Sequence, residues 1–420
     1  MLKRQRYTIG FHIESVANQE MPMNIGIIDA DLLDHGTRHP NLALLKISGY
    51  CKDLGHKVRL VCDYSELSND LLNEYDLLVM SKVFNFSRIP ENIAQLIKDK
   101  KIVRGGTGFF ELDCPDLPLE VEHHKPDYSL YLEYIEKQTN GDSNIKKRKY
   151  DDYLSYSIGF TTRGCFRKCS FCVNRKYDHV FDHSPIEEFL DPTRPKIYLW
   201  DDNIMASPHF NEIIDQLNAT GKSFQFRQGM DMRLMTDAKA EKLSKSHYYG
   251  DFIFAFDHIE DAELIQNKLD IWRKYCHRET KLYVLVAYDS QDEKDIFNTF
   301  ERIRILMSHG CLPYIMRYQD YKDSKFKTLY TQLARWCNQP NFFKKMSFRQ
   351  YCVRNEEFHQ GIQKKIVDGN FPAKIDVPLE KLPKKHYCSC YQSMLDFERQ
   401  FPEIAASYFD MRYEDIKPNH

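Results

Sequence analysis

The chain has 420 residues, more than one hydrophobic core ordinarily organises, so two or three domains are expected. With 42% hydrophobic residues, 29% charged residues and a formal net charge of -2, it has a globular balance and no overall pull toward nucleic acid or a membrane surface. No apolar run approaches the roughly 20 residues of a membrane span, and the basic start MLKRQRYTIGFHIESV lacks the cleavage site of a secretory signal. Twelve cysteines in so long a chain suit metal binding in a reducing compartment, the cytoplasm, better than a secreted disulfide scaffold.

Residues 1–22 read as a dispensable extension, with Met21 or Met23 as an alternative start. From there MNIGIIDAD predicts a buried strand ending in Asp29 and Asp31, and NLALLKISGYCKDLGH a helix that stops at Gly55. KVRLV, YDLLVMS and KIVRGG predict three further strands, with a helix over IPENIAQLIKDK. This alternation over 23–125 predicts an open parallel α/β domain of the flavodoxin or Rossmann kind. Ligands of such sheets bind at the carboxyl ends of the strands, which here carry Asp29, Asp31 and the glycines Gly105, Gly106 and Gly108. A tight turn accounts for the glycines equally well.

Residues 126–152 are polar, charged and aperiodic, and read as a linker or surface excursion, with the KKRK run a solvated connection in preference to a nucleic-acid contact. Over 153–320 a second alternating series follows, with strands expected at YSIGFTT, KIYLW, SFQFRQG, DFIFAF, KLYVLVAY and LPYIMRY. Six strands with intervening helices suggest a partial parallel barrel, whose chemistry belongs at the strand ends. Residues 321–420 turn aromatic and basic and read as mostly helical, Trp336, Phe342, Phe343 and Phe348 packing a cap.

The first strand of that series runs into TTRGCFRKCSFCVNRK, which sets Cys165, Cys169 and Cys172 in a C-x3-C-x2-C pattern. Three thiolates among Arg163, Arg167, Lys168, Arg175 and Lys176 make a poor core segment, and the cations offset thiolate charge. A structural zinc would need a fourth ligand, which His179 could supply. An iron–sulfur cubane usually takes four cysteines, so three leave one iron with an open position.

C-x3-C-x2-C with Phe171 before the last cysteine resembles the signature of the radical S-adenosylmethionine superfamily. The resemblance implies a partial (βα)6 barrel and a [4Fe-4S] cluster on the three cysteines. It also implies S-adenosylmethionine at the open iron, cleaved to a 5′-deoxyadenosyl radical with an electron from a flavodoxin or ferredoxin. It places Asp201, Asp202 and Asn203, at the end of KIYLW, near the cosubstrate's ammonium, although the commoner family segment there is glycine-rich with a glutamate. Arg227, Gln228, Asp231 and Arg233 of FRQGMDMR are candidates to reach cosubstrate or substrate, with rim ion pairs as the alternative. The domain order is similar to the subgroup with an N-terminal cobalamin-binding domain, in which cobalamin would favour methyl transfer. The D-x-H-x-x-G cobalt-ligand motif is missing, since Asp34, His35 and His39 have other spacings. Further likeness is to uncharacterised bacterial and phage members across HPNLALLKISGY, RGGTGF, KPDYSLY and ARWCNQP, and it brings no substrate. Cys337, Cys352, Cys388 and Cys390 are too irregularly spaced to announce an auxiliary cluster. The competing expectation is a non-catalytic, zinc-stabilised binding protein with a basic rim for RNA.

Overall fold

In the computed structural model, residues 9–68, 72–110, 114–172, 174, 176–367 and 390–418 are described. The chain is an α/β protein of two compact units, Met1–Gln225 and Phe226–His420.

The first unit opens with a parallel sheet in the order β2-β1-β3-β4, formed by β1 (Asn24–Asp29), β2 (Lys57–Leu60), β3 (Leu77–Ser81) and β4 (Val103–Gly105). Ile25, Ile27 and Ile28 of β1 are fully buried, as a central strand covered on both faces requires. The helix Leu42–Asp53 is capped by Asn41, whose side chain accepts from the Leu44 amide, and Gly55 follows it at φ +86°. All four strands and both main helices of this sheet stand where the apolar periodicity puts them.

Two sequence expectations fail here. Within the segment before Met23, a helix over Ile9–Val16 is part of the core: it buries Ile9, Ile13 and Val16 in the same cluster as Ile25 and Ile27. Their i, i+4, i+7 spacing is a helical stripe that the basic start obscures. Nor is 126–152 a linker. It holds the helices Leu132–Thr139 and Ser143–Ser155, and Tyr131, Tyr134, Ile135 and Tyr153 pack into that core. Lys147, Arg148 and Lys149 are exposed on the second helix, so KKRK is its solvated face.

Asp29, at the end of β1, is wholly buried; it accepts from the Leu32 amide at 3.1 Å and the Tyr131 hydroxyl at 2.8 Å. Burial pushes its pKa up to about 6, against those two hydrogen bonds and helped by the charge of Asp31. Between its unfolded value and about 6, the native state binds more protons than the unfolded chain. The fold therefore loses stability as pH rises through that window, on the order of 3 kcal/mol by pH 7. Asp29→Asn, which keeps the helix cap, is expected to raise stability at pH 7 and flatten its pH dependence between 4 and 6. Denaturant unfolding at both ends of that window measures it; an unchanged slope would contradict the assignment.

The first unit continues with a parallel sheet in the order β5-β8-β9, where β5 is Tyr156–Gly159, β8 is Lys196–Leu199 and β9 is Ser223–Phe226, whose last residue is the first of the second unit. Between β5 and β8 a small antiparallel ladder joins β6 (Thr162–Arg163) to β7 (Phe181–Asp182). The second unit carries a parallel sheet of β10 (Met230–Asp231), β11 (Phe252–Ala255), β12 (Thr280–Val286) and β13 (Leu312–Arg317) in sequential order. All six strands expected over 153–320 therefore form, three in each unit, and the division falls inside the segment read as one barrel. Helices from Lys327 onward close the second unit, with Trp336 buried against Phe343 and Phe348 at ring distances of 5.0 and 5.6 Å. Among the described residues no helix is long and apolar enough to cross a membrane.

Candidate active site

The cysteine loop leaves the carboxyl end of β5, and the β6–β7 ladder closes its base. Gly164 makes that closure possible: it sits at φ +88°, and a Cβ there would lie 2.2 Å from the His179 carbonyl oxygen. Inside the loop the Cys172 amide bonds the Cys169 carbonyl at 3.0 Å. Sulfur is met by amide donors: Arg167 N–H to Cys165 Sγ at 3.4 Å, Asn174 N–H to Cys172 Sγ at 3.3 Å, and Asn203 Nδ2 to Cys165 Sγ at 3.3 Å. Burial raises the Cys172 pKa, and the neighbouring charges of Cys169, Cys165 and Asp202 add to the effect while the Asn174 amide opposes it. Three half-buried thiols thus share one loop, with N–H donors aimed at the sulfurs of Cys165 and Cys172. That donor chemistry fits an iron–sulfur cluster, whose sulfurs take such bonds.

Among the described residues, no group of three or more His, Cys, Asp or Glu side chains stands preset around a metal position. Thiolates repel one another until a metal joins them, and metal binding commonly completes the ordering of such loops. The zinc alternative gains nothing: the exposed His179 has Nδ1 on the Asp178 carboxylate at 2.8 Å. Phe171 is half-buried directly before Cys172, and Arg175 lies outside the described residues.

The segment after β8 divides into three roles that its sequence does not reveal. Asp201 is buried and accepts four hydrogen bonds, from the amides and hydroxyls of Thr161 and Thr162, at 2.6–3.3 Å. Asp202 accepts from the Gly164 amide and the Asn174 side chain, both at 2.7 Å. These two carboxylates are clamps on the cysteine loop, because β8 pairs with β5 and their ends face each other. Asn203 differs. Its Nδ2 donates to Cys165 Sγ, while its Oδ1 is buried with no hydrogen-bond partner. Of the three residues expected near the cosubstrate, it alone presents an uncommitted acceptor.

In the second unit Arg233 is committed to Asp231 at 2.7 Å and Asp261 at 2.9 Å, the rim ion pair of the alternative reading, and these carboxylates raise its pKa against the effect of burial. Gln228 is exposed and Arg227 half-buried. Cys352 and Cys390 are buried with their sulfurs 3.5 Å apart, Cys337 is buried, and Cys388 lies outside the described residues.

Sequence reasoning missed a cavity of about 510 Å³ within the first unit. Its wall includes Asp29 at the end of β1 and Asp31 just beyond it, Val83 and Phe84 after β3, Phe160 and Arg163 after β5, and Trp200 after β8. It therefore joins the carboxyl edges of both sheets of that unit, where α/β ligands bind. Gly105 and Gly106 are not part of the wall. A Cβ on Gly105 would strike the Ile9 side chain at 2.6 Å, and one on Gly106, at φ +98°, the Lys82 carbonyl oxygen at 2.2 Å. They serve turn and packing, so the expectation that they receive a cofactor loses its basis. Both ring nitrogens of His35 are engaged, Nδ1 with the Gly36 carbonyl at 2.9 Å and Nε2 with Ser87 Oγ at 3.0 Å, and His39 Nδ1 lies 3.0 Å from Asp152. The aromatic residues after strand ends, in VFNF and at Trp200, were the available sequence signal.

No family model and no curated protein matches the chain. Among solved structures it is similar to the radical S-adenosylmethionine methyltransferase TsrM from Kitasatospora setae with cobalamin and [4Fe-4S] cluster bound. That likeness has 12% identity over 71% of this chain and 75% of the other, at a TM-score of 0.46. The same enzyme with tryptophan substrate and aza-SAM bound gives 12% identity, 74% and 76% coverage and a TM-score of 0.48. OxsB, a cobalamin-dependent S-adenosylmethionine radical enzyme solved with aqua-cobalamin and S-adenosylmethionine bound, gives 13% identity over 74% of this chain and 52% of its own, at a TM-score of 0.33.

Proposed function

We propose that the chain is a radical S-adenosylmethionine enzyme. The observation that carries this reading is the C-x3-C-x2-C loop at the end of β5, clamped by Asp201 and Asp202 and supplied with N–H donors to sulfur. Cys165, Cys169 and Cys172 would hold a [4Fe-4S] cluster, which when bound supplies reductive cleavage of S-adenosylmethionine to a 5′-deoxyadenosyl radical. The protein's own contribution is positioning. Asn203 Oδ1 accepts the cosubstrate's ammonium, and the loop's cations balance the charge of the sulfurs. A cytoplasmic flavodoxin or ferredoxin is the reductant this chemistry requires.

Anaerobic reconstitution with iron and sulfide tests the reading. A brown protein with about four irons per chain, releasing 5′-deoxyadenosine under strong reductant, is the expected result. A colourless zinc protein inert toward S-adenosylmethionine would move the assignment to the RNA-binding alternative.

Asn203→Ala gives a sharper check. Loss of an acceptor for a charged ammonium costs about 1.5–3 kcal/mol, so S-adenosylmethionine should bind roughly 10- to 100-fold more weakly at normal iron content. Loss of the N–H to Cys165 Sγ should make the cluster potential more negative, on the order of 50 mV. Unchanged affinity and potential together would return Asn203 to a purely structural role.

A second reading, methyl transfer through cobalamin, is favoured by the position of the cavity at the carboxyl edge of the first sheet. Retention of cobalamin through gel filtration would support it. Gly105 and Gly106 lie outside the cavity wall and both ring nitrogens of His35 are engaged within the chain, so neither offers a ligand to cobalt, and hydrogen abstraction from the substrate is the chemistry preferred here.

A further inference from the structure

The charged groups of the cavity wall are largely spoken for. Asp31 accepts from the amides of Val83 and Phe84 and from Ser87 Oγ at 2.5–3.2 Å. Asp29 is held by Leu32 and Tyr131, Glu122 by Lys46 at 2.9 Å and His183 at 3.4 Å, and Arg38 pairs with Asp152 at 3.0 Å. Hydrogen bonds and charge from His183 and Lys46 hold the Glu122 carboxyl at about 2 in spite of its burial. A ligand would thus find few carboxylates or ammonium groups to answer.

Two donors remain. Trp200 Nε1 and Arg163 Nε are buried without a hydrogen-bond partner, and both residues line this cavity. The Arg163 nitrogen lies 3.6 Å from Asp202, beyond hydrogen-bond reach. Buried polar groups are nearly always hydrogen-bonded, so two buried donors without a hydrogen bond, one of them only ion-paired, on residues of one wall ask for an acceptor from outside the chain. Around them the wall is aromatic. The Arg163 guanidinium lies over Phe160 at 4.2 Å, His39 meets Trp200 edge-on at 5.1 Å, and the rings of His35 and the exposed Phe84 stand 6.1 Å apart. Such faces and edges favour a flat π system.

We propose that this cavity seats a planar aromatic molecule bearing a hydrogen-bond acceptor, a carbonyl or carboxylate, that takes the Trp200 and Arg163 donors while its ring packs among Phe84, Phe160 and His35. At about 510 Å³ the space is in the range of small-molecule sites and admits such a molecule. Arg163 stands two residues before Cys165, so the ligand lies beside the cysteine loop. That it is the substrate rests on the radical reading above; that it binds does not.

The three tryptophans make the test selective. Trp272 Nε1 already donates to Thr280 Oγ1 and Trp336 Nε1 to the Met346 carbonyl, each at 3.0 Å, and of the three indole nitrogens Trp200 Nε1 alone has no hydrogen-bond partner. The full chain labelled with 15N-tryptophan is titrated with 2-naphthoate. The Trp200 indole N–H resonance should move downfield while the other two stay. Binding should be at least tenfold weaker in Trp200→Phe and in Arg163→Gln, and at least tenfold weaker for cyclohexanecarboxylate, which has the acceptor without the ring. A stationary Trp200 signal, equal binding of the saturated acid, or displacement of 2-naphthoate by cyanocobalamin would each overturn the proposal. Binding is read with and without reconstituted cluster, so failure of the radical reading shows separately, as missing 5′-deoxyadenosine beside an intact Trp200 response.

Discussion

Alanine at Cys165, Cys169 or Cys172 is expected to abolish both the cluster and 5′-deoxyadenosine formation, each substitution as completely as the others. Every thiolate would hold a different iron, and two protein ligands do not retain a cubane. Iron should fall from about four per chain to well below one, and S-adenosylmethionine cleavage below detection. The fold should survive, because the loop base is closed by the β6–β7 ladder and by Gly164 against His179, neither of which needs sulfur. Unchanged far-ultraviolet circular dichroism would therefore accompany the loss. Cys352→Ser and Cys390→Ser serve as controls: their sulfurs lie 3.5 Å apart in the second unit and should leave iron content and visible spectrum unaltered. Full iron in all three loop variants would remove the cluster from this loop. Stoichiometric zinc that is lost in His179→Ala would establish the Cys3His site instead.

What the sequence makes legible is what depends on near neighbours. The cysteine spacing is local, and so is the strand-to-loop transition that places it at the end of β5. The apolar runs that became β1 to β5, β8, β9 and β11 to β13 were short, bounded and rich in Ile, Val, Leu and Phe, a pattern that survives any tertiary arrangement. What the sequence hides depends on partners far away in the chain. Tyr131 and Tyr153 sit in a stretch dominated by charge, yet their rings pack against each other at 5.2 Å inside the first core, and Tyr131 bonds Asp29 across 102 residues. A stretch can be polar by count and still bury a few aromatics that fix it.

The glycines and the acidic pair teach the same point at the site. Gly105 and Gly106 look like a ligand cradle in isolation, and only the proximity of Ile9 and of the Lys82 carbonyl shows why side chains are excluded. Asp201 and Asp202 look like ligands for an ammonium, yet each is saturated by the loop opposite, because strand pairing sets β8 beside β5. The cavity draws its wall from five separate segments, so no window of sequence contains it. Its signal is scattered: an aromatic or arginine one to four residues beyond the end of a strand, at Phe84, Phe160, Arg163 and Trp200.

The division of roles after β8 yields the second large effect. Asp201→Ala should disable cluster assembly although Asp201 ligates nothing. Its carboxylate is buried and collects the Thr161 and Thr162 amides and hydroxyls, the residues that launch the cysteine loop from β5. Burial raises its pKa, partly offset by those four bonds, so the group is held in place by donors with nowhere else to turn. Removing it strands several buried donors at about 1–3 kcal/mol each, a total on the order of 3–5 kcal/mol concentrated on one turn. Asp201→Asn fits the space but brings an amide donor toward other donors, and should recover little. Asp202→Asn is the informative contrast: its remaining oxygen can still accept from the Gly164 amide, so iron content should drop at most severalfold. The expected order of iron incorporation is therefore wild type, then Asp202→Asn, then Asp201→Asn and Asp201→Ala. Hydrogen exchange at the amides of 161–164 should follow the same order in reverse. If Asp201→Ala retained full iron with normal exchange and lost only S-adenosylmethionine affinity, the clamp would be refuted and Asp201 would belong among the cosubstrate's ligands.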